Sequence, residues 1–114
     1  MAIQFSMIRD INGYNGFGIL FSDVNYSSLM TVGLAATITI PYDFENWLAI
    51  FSIDPGSRIW VANNQTAVAP TDASFGSTYS QLNPTARQVK AGDVLSLITP
   101  DTSAYVGVSL YGLL

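Results

Sequence analysis

Neither cysteine nor histidine occurs among the 114 residues of the sequence. The absence of cysteine excludes disulfides, thiolate metal sites and cysteine nucleophiles. The absence of histidine removes the side chain best suited to proton transfer near neutral pH, which is also the commonest ligand of zinc, copper and non-haem iron. We therefore expect neither a metal nor another cofactor, and no enzymatic activity.

Charge is also scarce. Charged residues make up 11% of the chain and hydrophobic residues 49%, whereas an average soluble domain is about 25% charged. The four cations are Arg9, Arg58, Arg87 and Lys90, and the formal net charge is −4. Because nucleic-acid binding relies on clustered lysine and arginine, we expect no nucleic-acid partner.

Long hydrophobic segments are missing as well. The longest weakly polar run, LMTVGLAATITIP at residues 29–41, is shorter than the roughly 20 residues that a membrane-spanning helix needs. The first ten residues lack the basic start and long apolar core of a secretory signal. We therefore expect no membrane association and a chain that is made in the cytoplasm.

What the chain does have is apolar and polar alternation with a period of two, typical of strands. Between residues 30 and 40 every even-numbered residue is apolar, which predicts one half-buried strand or two. The run WLAIFSI at 47–53 predicts a strand buried on both faces. Further strands are predicted in VLSLIT and AYVGVSLY near the C-terminal end, and in IQFSMIR and GYNGFGILF near the N-terminal end.

Turn signals separate these runs. DPGS at 54–57 predicts a type II turn, with RIWVA as the hairpin partner of the preceding strand. The polar stretch 63–88 predicts a long loop that holds a short edge strand. With no helical periodicity, seven or eight short strands predict a single all-β domain over residues 1–114, an antiparallel β-sandwich or barrel with less than about 10% helix.

Motifs for chemistry are weak. NGYNGFG has closely spaced glycines but no following helix pattern, so a turn is the better interpretation than a phosphate site. Asp43 and Glu45 lie two residues apart, as in a glycosidase pair, but in a connection where solvated carboxylates are common. Asp93 and Asp101 are predicted to stabilise turns. The many aromatic residues favour packing over sugar binding.

One resemblance rests on the series TITIP, WLAIFSI, RIWVANNQTAVAP, LNPTAR, VKAGDVLSLIT and AYVGVSLYGLL, over residues 30–114. In size, strand rhythm and turn placement, the chain resembles the jelly-roll-like β-sandwich capsid decoration proteins, or cement proteins, of tailed bacteriophages. The resemblance implies a structural virion protein on the outer capsid surface, bound to the major capsid protein as a small homo-oligomer, with a dimer favoured over a trimer.

Low charge and the apolar ending predict that association buries apolar surface and that a partner covers the exposed end. The expected contact residues are in the glycine-rich stretch, the long loop and the last strand: Tyr14, Phe17, Phe75, Tyr79, Arg87, Tyr111, Leu113 and Leu114. The alternatives are a phage tail, receptor-binding or carbohydrate-binding module, favoured if Trp47, Trp60 or several tyrosines share an exposed groove, an unrelated β-sandwich interaction protein, and an enzyme that uses Asp43 and Glu45.

Overall fold

The computed structural model of the protein describes residues 2–9, 11–13 and 15–113, with residues 15–17 described by their backbone alone. No helix occurs in these ranges, and the predicted all-β fold is confirmed. The ten strands are β1 (Met7–Arg9), β2 (Asn15–Ile19), β3 (Val24–Thr31), β4 (Ala36–Thr39), β5 (Asn46–Ile53), β6 (Trp60–Asn63), β7 (Gln81–Leu82), β8 (Ala86–Lys90), β9 (Val94–Ile98) and β10 (Ser103–Leu113).

Eight of these strands form two four-stranded antiparallel sheets that pack as a sandwich. The first sheet has the order β3-β10-β5-β8 and the second has the order β4-β9-β6-β7. From β3 onwards, every connection crosses from one sheet to the other, except the loop between β6 and β7. Strands β1 and β2 form a separate two-stranded sheet.

The type II turn at DPGS is confirmed, but the hairpin predicted around it is wrong. The amide of Ser57 donates to the carbonyl of Asp54 over 3.0 Å, and Gly56 has a φ of +80°. Strand β6, however, pairs with β9 and β7, whereas β5 pairs with β10 and β8. The turn therefore carries the chain between sheets, which a local turn signal does not reveal.

The core lies between the two sheets and is built by alternating residues. In β10, Ala104, Val106, Val108 and Leu110 are buried, and the residues between them are more exposed. Strand β5 follows the same rule, since Trp47, Ala49 and Phe51 are buried while Leu48 and Ile50 are only half-buried. The prediction that this run is buried on both faces is therefore wrong.

The alternating stretch 30–40 divides into two strands in different sheets. Met30, the residue before the last of β3, is buried in the core, and Ile40 after β4 is fully buried. Between them, Val32 and Leu34 are exposed on a turn in which Gly33 has a φ of +74°. The alternation of apolar residues therefore continues through a turn, where Val32 and Leu34 point to solvent instead of the core.

Two asparagines in the left-handed region extend strand pairing beyond β6. Asn64 has a φ of +61°, and its side-chain oxygen accepts the amide of Val94 while its own amide donates to the Val94 carbonyl. Asn83, with a φ of +46°, makes the same pair of contacts with Ile59. Asparagine tolerates this conformation, so each side chain replaces a missing strand residue, Asn64 after β6 and Asn83 after β7.

A tight aromatic corner closes one end of the sandwich. Trp47 is fully buried, and its indole N–H lies 3.1 Å from the carbonyl of Pro41 and 3.0 Å from that of Phe44. The Phe44 ring meets the indole edge to face at 5.4 Å. It also lies over Gly112, where an added Cβ would be 2.3 Å from the ring.

Gly112→Ala is expected to lower the free energy of unfolding by about 1–3 kcal/mol, because the new methyl group overpacks the corner. Urea denaturation measures the change. Gly76→Ala is the matched control, since a Cβ there meets nothing within 4 Å. In a Phe44→Ala background the cost of Gly112→Ala should fall, and an equal cost in both backgrounds would show that the ring does not impose the glycine.

Candidate interaction surfaces

Strands β1 and β2, with the described residues between them, form an arm, here defined as residues 7–9, 11–13 and 15–19. In the described part of the chain these two strands pair only with each other. The radius of gyration is 15.5 Å and the longest dimension 52 Å, whereas a compact chain of this length has a radius of about 13 Å. The molecule is therefore elongated, and the described strands of the arm pair with neither sheet of the sandwich.

The base of the arm is held by hydrogen bonds and ring contacts to the end of strand β10. The amide of Phe5 donates to the Gly112 carbonyl, and the amide of Gly112 donates to the carbonyl of Ile3. The Phe5 ring meets the Tyr111 ring edge to face at 5.8 Å, and the Tyr111 hydroxyl donates to the Leu20 carbonyl. Tyr111 thus contacts both the segment before β1 and the segment after β2.

Apolar side chains are exposed along the arm and just after it. Ile11 at the turn is 100% exposed and Phe21 95%, and Met7, Ile8, Ile19 and Leu20 are partly exposed. An isolated two-stranded hairpin is marginally stable in water, so exposed apolar side chains on it favour contact with another molecule. Sequence reasoning selected this stretch through Tyr14 and Phe17 but missed two exposed residues. Ile11 is a single apolar residue in a polar turn, and the apolar run that contains Phe21 resembles a buried strand.

The second surface is the long loop, defined as residues 64–80. It is held by the amide of Ala67, which donates to the Ser96 hydroxyl, and by the amide of Val68, which donates to the Ser80 hydroxyl. Its residues 68–78 and Trp60 enclose a groove of about 580 Å³, here named the loop groove. Phe75 in this groove is fully exposed, and its role as a contact residue stays a prediction.

Tyr79 and Arg87 lie together on a different groove. Both line a volume of about 200 Å³ at the β7–β8 side of the sandwich, and both are exposed. The Arg87 guanidinium donates to the Gln81 side chain over 2.8 Å and to the Ala86 carbonyl over 2.7 Å. Tyr79 and Arg87 therefore line one groove, and Phe75 lines the loop groove.

The expectation of an exposed apolar ending is wrong for Tyr111, which is only 5% exposed. Leu113 is half-buried. Strand β10 is central in its sheet, with β3 on one side and β5 on the other, so the chain itself covers it and no partner is needed to explain its composition. Tyr14 and Leu114 lie outside the described residues, as does the side chain of Phe17.

The carboxylates hold turns together. Both oxygens of Asp101 accept from Arg58, which makes an ion pair of 2.7 Å and lowers the pKa of Asp101 below its usual value. Partial burial raises the pKa of Asp93, but hydrogen bonds from Asn64, the Lys90 amide and Asn63 outweigh burial and lower it. The turn roles predicted for both aspartates are confirmed. Asp43 and Glu45 are exposed in the connection before β5.

The described ranges contain no group of three or more acidic side chains close enough to hold a metal ion. No helix in those ranges is long and apolar enough to cross a membrane. Compared with models of protein families, with curated proteins and with solved structures, the chain matches none of them.

Asp93 should make the free energy of unfolding depend on pH. Its pKa is lower in the folded than in the unfolded chain, where it is close to 3.8. Its contribution is therefore complete above that value and is lost as the pH falls through the lowered folded pKa. Asp93→Asn should flatten the decline in stability below about pH 4. Denaturation at several pH values measures this, and a decline as steep as that of the wild type would contradict it.

Proposed function

We propose that the protein is a structural, non-enzymatic subunit that binds the outer surface of a bacteriophage capsid as a decoration protein. The observation that carries the proposal is the arm: an apolar extension whose base is fastened by Tyr111, Phe5 and Gly112. A fixed base with an exposed apolar tip favours attachment to another protein surface. The major capsid protein is the proposed partner.

The strand order supports the jelly-roll part of this proposal. Counted from β3 as the first strand, the sheets have the orders 1-8-3-6 and 2-7-4-5. A jelly roll winds its eight strands in this order, and viral capsid and lectin domains both use that architecture. This support is an analogy of fold, so the assignment to a capsid depends on the contact surfaces.

Apolar burial is the only large source of affinity that such surfaces offer. Ile11 and Phe75 are both fully exposed, and they lie on the arm and on the long loop. A stable contact needs roughly 1,000 Å² of buried surface in total. A homo-oligomer would present several arms, and the later arms would bind at high effective concentration after the first.

Shell binding can be tested by co-sedimentation of the purified protein with capsids prepared without it. We expect the protein to pellet with the shells, and Ile11→Asp to weaken binding about tenfold or more, because the contact loses an apolar side chain and buries a charge. Thr102→Asp adds the same charge at an exposed turn and is the control. A wild-type protein that stays in the supernatant would reject the proposal.

A carbohydrate-binding module is the second candidate, favoured by the loop groove alone. Trp60 and Phe75 both line that groove, with Asp72 and several hydroxyl side chains. Trp47 does not support it, because it is fully buried. Aromatic rings stack on sugar faces, and polar groups beside them fix orientation.

A panel of immobilised glycans distinguishes the two candidates. Saturable binding that Trp60→Ala abolishes, without a change in the urea midpoint, would favour the carbohydrate module. Because Trp47 is inaccessible, a change in tryptophan fluorescence on adding glycan would report on Trp60. If no glycan binds, this candidate is rejected.

A further inference from the structure

The four edge strands of the sandwich differ in how well they are protected against pairing. Strand β8 carries Arg87 and Lys90, while β4 has four residues and β7 two. Charged side chains and short length are both devices that prevent edge-to-edge association. Strand β3 has neither, since its eight residues, VNYSSLMT, include no charge and no proline.

Strand β3 is also regular, and among the described strands it pairs with β10 alone. It pairs with β10 from Val24 to Thr31 without a register shift, so no bulge turns its edge away. Residues 25–29 are exposed without interruption, among them Tyr26 on the inner face and Leu29 on the outer face. The nearest charge along the chain, Asp23, accepts the amide of Ile3. The free edge is therefore an uncharged template for another strand.

We infer that β3 of one chain pairs antiparallel with β3 of a second copy across a two-fold axis, which joins two four-stranded sheets into one of eight strands. This inference rests on the homo-oligomer in the proposed function and names its contact. An uncharged strand suits a two-fold axis, because each residue near the axis approaches its own copy and any charge there would repel itself.

The available surface is sufficient for a stable dimer. Eight residues of strand span about 26 Å. A stable interface needs about 500 Å² on each partner. A strip along β3 must therefore be about 20 Å wide to supply this area. The two short dimensions of the molecule are 29 and 26 Å. Beside β3, an open cleft of about 250 Å³ toward β4 is lined by Met30, Ile38 and Leu97, so the strip includes apolar surface next to the strand edge.

The geometry also fixes the residue on the axis. In a continuous antiparallel sheet, directly opposite residues point to the same face, so a residue of β3 must oppose one of the same parity. The two-fold axis then passes midway between one residue and its own copy in the partner strand. The two positions nearest the middle of the strand are Ser27 and Ser28, and both carry small side chains.

The absence of native cysteine makes this register directly measurable. Under mild oxidation, either Ser27→Cys or Ser28→Cys should form a disulfide-linked dimer in high yield, and the other should not. Only the residue on the axis lies directly opposite its own copy, with Cβ atoms about 4.5–5.5 Å apart, which is close to the separation that a disulfide needs. Ser52→Cys is the control, an exposed serine on β5, two strands in from the edge. Equal yields from all three variants would indicate random collision and overturn the inference.

Charge on the axis gives an independent test. The purified protein should have twice the 12.3 kDa mass of one chain in light scattering at micromolar concentration. Lysine at the axial serine should raise the dissociation constant of the dimer at least tenfold, because the two copies of the charge repel each other. High salt should partly reverse this increase. A wild-type monomer, a trimer, or a dimer that survives both Ser27→Lys and Ser28→Lys would overturn β3 pairing. No shell is present in these measurements, so their failure is separate from failure of capsid binding.

Discussion

Strand β10 is the constraint on which the remainder of the structure depends. It pairs with β3 and with β5 over eight residues each, and it supplies Val106, Val108 and Leu110 to the core. Its last residues fix two further features: Gly112 leaves space for the Phe44 ring, and Tyr111 holds the base of the arm. Because β10 lies far along the chain from β3 and β5, the first sheet closes only when the C-terminal segment is in place. Non-local pairing of this kind makes folding slow.

Most of the aspartates hold the backbone of loops and strand ends. Asp23, Asp54, Asp72, Asp93 and Asp101 each accept a backbone amide from a loop or from the end of a strand. Charge-assisted hydrogen bonds of this type are stronger than neutral ones, so they stabilise turns that have little apolar surface to bury. A consequence is that the broad faces and the β3 edge carry almost no charge. Electrostatic steering is then weak, and association must depend on shape and apolar burial.

The arm, the long loop and the β3 edge are separate surfaces, which is an arrangement suited to assembly. An edge that pairs with its own copy would unite two subunits, and two arms would remain for a second partner. The opposite edge of the first sheet carries Arg87 and Lys90 on β8, which prevents the sheet from growing into a fibre. Growth would stop at the dimer because only one edge of the sheet is unprotected.

The sequence by itself determined the all-β class, most of the strands, the type II turn at DPGS and the turn roles of Asp93 and Asp101, because period-two alternation and turn chemistry are local properties. It also located the loop that carries Phe75 and Tyr79.

Only the tertiary structure decided which strands are neighbours, since RIWVA and WLAIFSI are adjacent in sequence yet belong to different sheets. Burial was decided in the same way. Tyr111 and Phe21 both belong to short apolar runs, but Tyr111 is covered by Phe5 and Phe21 is open to solvent. Exposure depends on segments that lie far apart in the chain, and no local pattern records which of them meet.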